Sequence, residues 1–228
     1  MTDASVPQCI GLILDGNRRW AREHGLPTLE GHRRGLDKIK DIARWAKKAG
    51  VGTVIVYAFS TENWNRSPEE VAYLMKLFAE MLSGELDDVK KDGGKIRFIG
   101  QRERFEKRLQ EEMNRVEAET QEATGGTLVV ALSYGGRAEI LAAVNKLLKT
   151  GTVEIDEDGF RKTLWSADIP DPDLIVRTGK EKRLSNFLTW QSAYSELFFT
   201  DTYLPDFSEE EFNAILIEYA TRERRHGK

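Results

Sequence analysis

The amino-acid sequence predicts an α/β fold: a single domain over residues 1–228, with a mostly parallel central β-sheet flanked by helices. Short apolar runs alternate with longer segments of helical period, and this order predicts parallel strands joined by helices. The runs are apolar throughout, as in strands buried on both faces. A length of 228 residues without repeats or a flexible linker is typical of one hydrophobic core.

Five strands are predicted from the apolar runs. The second run is β-branched at its first four positions, which favours a buried strand over a helix. The predicted strands cover residues 9–14, 53–59, 95–99, 127–132 and 173–176.

The helices are predicted from apolar periodicity and from capping residues. Ser67 is followed by proline and by Glu70, a capping box that begins a helix. Ser208 and Glu211 form a second capping box, for a last helix that extends to about residue 223. Further helices are predicted over residues 31–49, 102–123 and 138–149.

Composition excludes several classes of protein. The net charge of −4 gives no reason to expect nucleic-acid binding, so an anion site must be a local cluster. Cys9 is the single cysteine, which excludes an intrachain disulfide and fits a reducing compartment. No apolar run approaches the roughly 20 residues of a membrane span, and the first residues do not resemble a signal peptide. The expected location is therefore the cytoplasm.

Four polar segments, rich in glycine and arginine, directly follow predicted strands. They cover residues 15–20, 60–66, 133–137 and 177–186. Ligands of parallel sheets bind outside the carboxyl ends of the strands, so we expect these segments to meet at one edge. Glycine lets backbone N–H groups approach an anion, and arginine fits phosphate oxygens. The glycines and arginines at this edge therefore predict a site for a polyanion.

Each candidate also has a purely structural interpretation. Asp-Gly-Asn after a strand often forms only a turn. Arg177 and Arg183 could form surface ion pairs, and Trp20 and Trp64 could be core aromatics. Glu196 precedes an apolar run and could be either a loop carboxylate or a metal ligand.

The ordered motifs resemble those of the cis-prenyltransferases, and the resemblance runs from about residue 9 to the C-terminus. The motifs are Asp-Gly-Asn-x-Arg-Trp-Ala (15–21), Gly-His-Arg (31–33), Tyr-Ala-Phe-Ser-Thr-Glu-Asn-Trp-Asn-Arg (57–66), Tyr-Gly-Gly-Arg (134–137), Asp-Pro-Asp-Leu-Ile-x-Arg-Thr-Gly (171–179) and Arg-Leu-Ser-Asn-Phe-Leu-x-Trp-Gln (183–191).

The resemblance implies an activity. The family condenses isopentenyl diphosphate with an allylic diphosphate, commonly farnesyl diphosphate, and forms new cis double bonds with Mg²⁺ as cofactor. The expected product is a polyprenyl diphosphate such as undecaprenyl diphosphate, a lipid carrier for cell-wall synthesis. The resemblance also implies a homodimer in which residues 225–227 reach the neighbouring site. Peripheral contact with the inner face of the plasma membrane would serve product release.

The resemblance further implies roles for individual residues. Asp15 and Asn63 are the expected catalytic residues: Asp15 works with Mg²⁺ and diphosphate, and Asn63 helps to remove a proton from isopentenyl diphosphate. Glu196 is the expected second Mg²⁺-linked carboxylate. As a strand-end aspartate facing a cleft, Asp15 is not expected to contribute to the core. The expected substrate-binding residues are Gly16, Asn17, Arg18, Arg19, Trp20, His32, Ser60, Thr61, Glu62, Trp64, Arg66, Arg177, Arg183, Leu184 and Ser185.

Five positions depart from the family pattern: Arg18, Thr28, Gly126, Ser133 and Lys180. Gly126 stands where a larger apolar residue is usual, near the far end of an apolar tunnel expected between sheet and helices. It could therefore affect product length, or it could simply end a turn with the preceding glycine.

Three alternative functions stay open. One is a synthase that makes short products or couples two allylic diphosphates in a branched manner. Another is a non-catalytic partner subunit, which typically lacks the residues equivalent to Asp15 and Asn63. A generic phosphate-binding α/β protein would not explain the ordered motifs.

Overall fold

Six parallel strands form one sheet in a computed structural model, which describes residues 6–222 apart from the side chain of Glu85. The strand order is β3-β4-β2-β1-β5-β6. The strands are β1 (Cys9–Ile13), β2 (Thr53–Ser60), β3 (Lys95–Ile99), β4 (Thr127–Tyr134), β5 (Leu174–Arg177) and β6 (Glu196–Phe199). The predicted parallel sheet is confirmed, and β6 is an edge strand that the apolar runs did not predict.

Within residues 6–222, eight α-helices surround the sheet. They are α1 (Asn17–Glu23), α2 (Thr28–Lys48), α3 (Pro68–Glu80), α4 (Asp87–Lys91), α5 (Lys107–Glu119), α6 (Gly136–Lys149), α7 (Glu157–Arg161) and α8 (Glu209–Thr221). A π-helical turn (Met81–Glu85) follows α3, and 3₁₀ turns cover Thr61–Asn65, Arg102–Arg104 and Leu204–Asp206. The predicted starts of α3 and α8 are confirmed, because Ser67 and Ser208 accept hydrogen bonds from the backbone N–H groups of Glu70 and Glu211.

The predicted helix over residues 102–123 is wrong at both ends. Phe105 has an extended backbone and a buried side chain, so a 3₁₀ turn and α5 replace one long helix. At the other end, the buried Thr120 hydroxyl bonds the carbonyl of Val116 and accepts from the N–H of Ile96, which ties the end of α5 to β3.

Alternate strand residues are buried on opposite faces of the sheet. Ile10, Leu12 and Val54 belong to the larger apolar cluster, which also contains side chains of α2, α3, α5 and α8. Ile13 and Ile55 face the smaller cluster, which includes residues between α7 and β6. This double burial explains why the strand sequences are apolar without alternation.

Gly126 lies directly before β4, at the opposite end of the sheet from the carboxyl ends of the strands. Its φ of +105° is a conformation that favours glycine, and an added Cβ would lie 3.4 Å from the carbonyl oxygen of Gly52. The structure therefore supports the interpretation of Gly126 as a turn residue. A pocket lies between the sheet, α2 and α3, whereas a continuous apolar tunnel stays a prediction.

Within residues 6–222, no helix is both long enough and apolar enough to cross a membrane.

Candidate active site

The four polar segments meet at one edge of the sheet. Strands β4, β2, β1 and β5 are adjacent and parallel, so their carboxyl ends lie side by side. This arrangement confirms the expected convergence of the segments that follow these strands.

Asp15 and Arg177 form the centre of this edge. The guanidinium of Arg177 donates from Nη2 to Oδ2 of Asp15 at 2.8 Å, and Nη2 of Arg19 lies 3.1 Å from Oδ1 of the same carboxylate. The side chain of Arg177 is only 5% exposed, whereas that of Asp15 is 30% exposed. Asp15 thus presents a carboxylate to the cleft while it neutralises a buried arginine beneath it.

The segment after β5 wraps around Arg177. Nη1 of Arg177 donates to the carbonyl of Arg183 and, at 2.7 Å, to the hydroxyl of Ser185. Lys180 and Ser185 have positive φ values of 70° and 50°, so the segment is unusually bent for non-glycine residues. Arg183 points outward: it pairs with Glu181 at 2.6 Å and its side chain is 61% exposed. The two arginines therefore occupy different environments.

A second ionic cluster lies between α1, α2 and α3. The carboxylate of Glu70 is 2.9 Å from Nε2 of His32 and 3.1 Å from Nη1 of Arg66, and Nη1 of Arg18 lies 3.9 Å away. Burial lowers the pKa of His32 below its ordinary value of 6.5 and outweighs the attraction of Glu70. Burial opposes ionisation of Glu70, but His32 and the arginines outweigh it, so the pKa of Glu70 is also lowered. A neutral His32 therefore donates to an ionised Glu70.

Asn17 begins α1 in very close contact with α2. A Cβ added to Gly35 would lie 2.4 Å from Oδ1 of Asn17, and one added to Gly31 would lie 2.1 Å from its carbonyl oxygen. These glycines allow the two helices to approach. The Oδ1 atom of Asn17 is buried and has no hydrogen-bond partner in the described part of the chain, which leaves an acceptor near the cleft.

The 3₁₀ turn after β2 holds the next predicted residues. Asn63 accepts from the N–H of Ser60 at 3.1 Å, and Glu62 accepts from the side chain of Asn186 at 2.9 Å. The indole of Trp64 donates to Ser133 at 2.9 Å and packs against the larger apolar cluster. Thr61 hydrogen-bonds Glu62 at 3.1 Å. The amide of Asn63 is thus oriented by its own turn.

Two predicted residues have clear structural contacts. Trp20 donates from Nε1 to Asp206 at 2.7 Å and stacks on His24 at 4.4 Å, and it is mostly buried. Leu184 packs against the smaller apolar cluster. Gly16 has a φ of +106° where the chain turns from β1 into α1.

Three concave regions join at this edge. The first, which we call the α1 cavity, is lined by Leu14, Asp15, Gly16, Asn17, Arg18, Arg19, Arg22, Gly25, Leu26, Pro27, Thr28, His32 and Arg66. The second, the loop cavity, is lined by Ile13, Leu14, Asp15, Tyr57, Ser60, Glu62, Asn63, Arg66, Arg137, Arg177, Ser185 and Asn186. They share Leu14, Asp15 and Arg66.

The third region is the apolar pocket, lined mainly by Leu36, Ile39, Leu74, Leu77 and Phe78. It shares Leu14, Asn17 and His32 with the α1 cavity. A ligand with an anionic head and an apolar tail could therefore place its head in the α1 cavity and the start of its tail in this pocket. The pocket has a volume of about 40 Å³ and would have to widen for a longer chain.

The structure does not bring Glu196 to Asp15 within one chain. Glu196 begins β6 and pairs with Leu174, the first residue of β5. Arg177, the last residue of β5, pairs with Ile13, and Asp15 lies two residues further along. The separation along the strand direction is five residues, or roughly 16 Å. Glu196 instead accepts from Arg222 at 2.6 Å. The metal prediction is therefore carried by Asp15.

Asp15 fits a Mg²⁺ ion that takes most of its ligands from substrate. Mg²⁺ prefers oxygen ligands and commonly binds through one or two carboxylates, water and substrate phosphates. Within residues 6–222, no group of three His, Cys, Asp or Glu side chains is arranged to hold a metal ion. Diphosphate and water oxygens would have to supply the remaining Mg²⁺ ligands.

Three residues near this edge were not among the expected site residues. Glu70 was assigned only to helix capping, although its side chain joins His32 and Arg66. Asn186 bonds both Glu62 and the N–H of Arg137, and Arg137 itself lines the loop cavity. The position of Asn186 and Arg137 after predicted strands was the available signal.

The fold and this edge define a class of α/β protein that can hold two anionic groups side by side, with an apolar pocket adjoining one of them. Comparison with known proteins identifies the family. A family model described as "Putative undecaprenyl diphosphate synthase" matches residues 13–227. The chain belongs to this family and is a prenyltransferase of the cis-prenyl chain-elongating type.

Individual relatives agree with this assignment. An isoprenyl transferase of Neisseria gonorrhoeae is 44% identical over 224 residues, which cover 98% of this chain and 90% of the relative. An isoprenyl transferase of Thermotoga maritima is 42% identical and covers 97% of both chains.

Two solved structures share the fold. Lavandulyl diphosphate synthase from Lavandula x intermedia, in complex with dimethylallyl diphosphate, matches with a TM-score of 0.93 at 32% identity, over 98% of this chain and 99% of the other. A probable undecaprenyl diphosphate synthase from Campylobacter jejuni matches with a TM-score of 0.83 at 29% identity, over 98% of this chain and all of the other.

Proposed function

We propose that the protein catalyses the Mg²⁺-dependent, sequential cis-condensation of isopentenyl diphosphate onto an allylic diphosphate, with farnesyl diphosphate as the allylic substrate and undecaprenyl diphosphate as the product. One observation carries the proposal: two arginine-lined cavities meet at Asp15, and one of them adjoins an apolar pocket. A condensation of two diphosphates needs two anion sites and room for one long apolar tail.

The α1 cavity suits the allylic substrate. Arg18 and Arg19 offer guanidinium groups to its diphosphate, and the apolar pocket would receive its prenyl tail. The loop cavity suits isopentenyl diphosphate, with Arg177 and Ser185 in its wall and Arg183 on the same segment. Asn63 lies in the wall of this second cavity.

The proposed reaction breaks the allylic C–O bond, forms a C–C bond to isopentenyl diphosphate and releases a proton. Negative charge develops on the leaving diphosphate, where Arg19 and Arg18 would stabilise it. Bound Mg²⁺ would supply further charge stabilisation to that diphosphate. Asn63, oriented by Ser60, would hydrogen-bond the reacting part of isopentenyl diphosphate where the proton leaves.

A short-chain or branching reaction is the second candidate. The match to lavandulyl diphosphate synthase, at a TM-score of 0.93, supports it, because that enzyme was crystallised with the short allylic substrate dimethylallyl diphosphate. Identities of 42–44% to isoprenyl transferases support the first candidate.

We also propose that the protein is a homodimer. Leu141, Val144 and Leu148 form an apolar stripe on α6, and Leu148 is 67% exposed in the single chain. A second copy could cover this stripe. The expected contact of residues 225–227 with a neighbouring site lies outside the described residues. Peripheral membrane contact and a cytoplasmic location are further proposals.

Product analysis tests the reaction. The purified protein is incubated with labelled isopentenyl diphosphate and with dimethylallyl, geranyl or farnesyl diphosphate, each with Mg²⁺ or with EDTA. A further reaction contains dimethylallyl diphosphate alone. Long products from farnesyl diphosphate that need Mg²⁺ support the first proposal. Ten-carbon products, above all from dimethylallyl diphosphate alone, would replace it with the second candidate, and no condensation under any condition would contradict both.

A further inference from the structure

Arg137 is an arginine of this edge without an assigned role. It is the second residue of α6, directly beyond β4, and its side chain is exposed. Its backbone N–H donates to Oδ1 of Asn186 at 2.9 Å, and the neighbouring N–H of Gly136 donates to the carbonyl of Asn186 at 2.7 Å. The main chain of Arg137 is therefore fixed against the segment that follows β5.

The side chain of Arg137 lies where the loop cavity opens. It lines that cavity together with Arg66 and Arg177. It also lines a smaller adjoining cavity at the rim, with Glu62, Leu184, Asn186, Thr189 and Ser192. An anion that enters the loop cavity from this side would pass Arg137.

The charges around the loop cavity distinguish Arg137 from its neighbours. Three arginines line the cavity, but Arg177 is paired with Asp15, and Arg66 is paired with Glu70. In the part of the chain that the structure describes, the guanidinium of Arg137 has neither an ion pair nor a hydrogen bond. Because Asp15 and Glu62 also line the cavity, Arg137 supplies its excess positive charge.

We propose that Arg137 is a substrate-binding residue that contacts the outer phosphate of the diphosphate held in the loop cavity. The inference rests on the proposed function, under which this ligand is isopentenyl diphosphate. The diphosphate of isopentenyl diphosphate stays intact during condensation, so this contact is equally present before and during the reaction. Its loss therefore raises KM for isopentenyl diphosphate and leaves kcat nearly unchanged.

The test compares Arg137→Gln with Arg137→Lys and with the control Arg108→Gln. Arg108 is also exposed and is the second residue of a helix, α5, but it lines none of the three cavities. We expect Arg137→Gln to raise KM for isopentenyl diphosphate by roughly five- to thirtyfold, as for the loss of one charge-assisted contact at a partly open site. KM for the allylic substrate should change less than about twofold, and Arg137→Lys should recover part of the loss.

Salt provides a readout that a purely structural role would not move. Exposed charges are screened at high ionic strength, so the KM ratio between Arg137→Gln and the unmodified protein should narrow from low to high salt. Calorimetric titration with isopentenyl diphosphate alone, without allylic substrate, should show the same weakening. Equal behaviour of Arg137→Gln and Arg108→Gln, or a rise confined to the allylic KM, would overturn the proposal.

The calorimetric measurement also separates this inference from the proposed function. If the unmodified protein condenses no substrate, the proposed function fails, whatever Arg137 does. If condensation occurs and the Arg137 variants bind isopentenyl diphosphate normally, only the role of Arg137 fails.

Discussion

Replacement of Asp15 by alanine should damage stability as well as activity. The substitution removes the carboxylate that accepts from Arg177 at 2.8 Å and faces Arg19 at 3.1 Å. Loss of one partner of a buried ion pair costs about 3–5 kcal/mol, but Asp15 is 30% exposed, so water can reach the gap and we expect about 2 kcal/mol. For a chain of this length that corresponds to a fall in Tm of about 4–8 °C.

Activity and stability can be separated with a second variant. Asp15→Asn keeps an oxygen that can accept from Arg177, so its Tm should fall less than that of Asp15→Ala. Both variants should lose at least ~10²-fold in kcat, because neither keeps the carboxylate that would hold Mg²⁺ at the leaving diphosphate. Asp41→Ala is the control: it removes an exposed ion pair with Arg44 at 3.3 Å and should leave both quantities almost unchanged.

Thermal melts and condensation assays with labelled isopentenyl diphosphate measure the two effects. An Asp15→Ala protein with unchanged Tm would show that the bond to Arg177 carries no stability. Near-normal turnover of the same protein would remove Asp15 from the catalytic assignment. The bond to Arg177 is thus the reason to expect a loss of stability that the sequence did not predict.

Three further predictions concern other parts of the molecule. Arg183→Ala should raise KM for isopentenyl diphosphate and leave Tm unchanged, whereas Arg177→Ala should raise KM and also lower Tm, since of these two arginines only Arg177 is buried. Equal Tm values for the two variants would contradict this division. Because the pKa of His32 is lowered in the folded protein, the free energy of unfolding should decrease as pH falls below about 6.5. Thermal melts at several pH values should show a smaller decrease in Tm for His32→Gln, and identical pH profiles of the two proteins would refute this prediction. Gly126→Leu should lower Tm by several degrees without shortening the products, as the φ of +105° is strained for leucine. Shorter products at an unchanged Tm would instead place Gly126 in a tunnel.

The sequence predicted the central strands well because their signal is local. Strands buried on both faces must be apolar at nearly every position, and this is visible without knowledge of the partner strands. Helix α1 was missed because residues 17–23 are mostly polar, and its tertiary contacts, such as that of Asn17 with Gly31 and Gly35, are not visible in sequence. Strand β6 was missed because it contains no β-branched residue, whereas the equally short β5 contains Ile175 and Val176.

The site could be predicted as a set of residues, but not as a set of contacts. Parallel topology predicts that the four segments meet at one edge of the sheet. It could not show that Glu70 turns its side chain toward His32, because capping and ion pairing use the same residue type. It also could not show that Glu196 starts a strand at the far end from Asp15, since register depends on pairing between distant segments.

Arg177 and Arg183 look equivalent in sequence, and the structure explains why they are not. The segment from Arg177 to Ser185 contains two non-glycine residues with positive φ, Lys180 and Ser185. This conformation costs of order 1–3 kcal/mol per residue unless the surroundings hold it. Arg177 supplies that support, because one guanidinium bonds the carbonyl of Arg183, the hydroxyl of Ser185 and the carboxylate of Asp15. A lysine could not make all three contacts, since it lacks the planar fork of donors. The buried arginine therefore shapes the segment after β5. The exposed Arg183 would have to leave its surface ion pair with Glu181 to reach the proposed ligand.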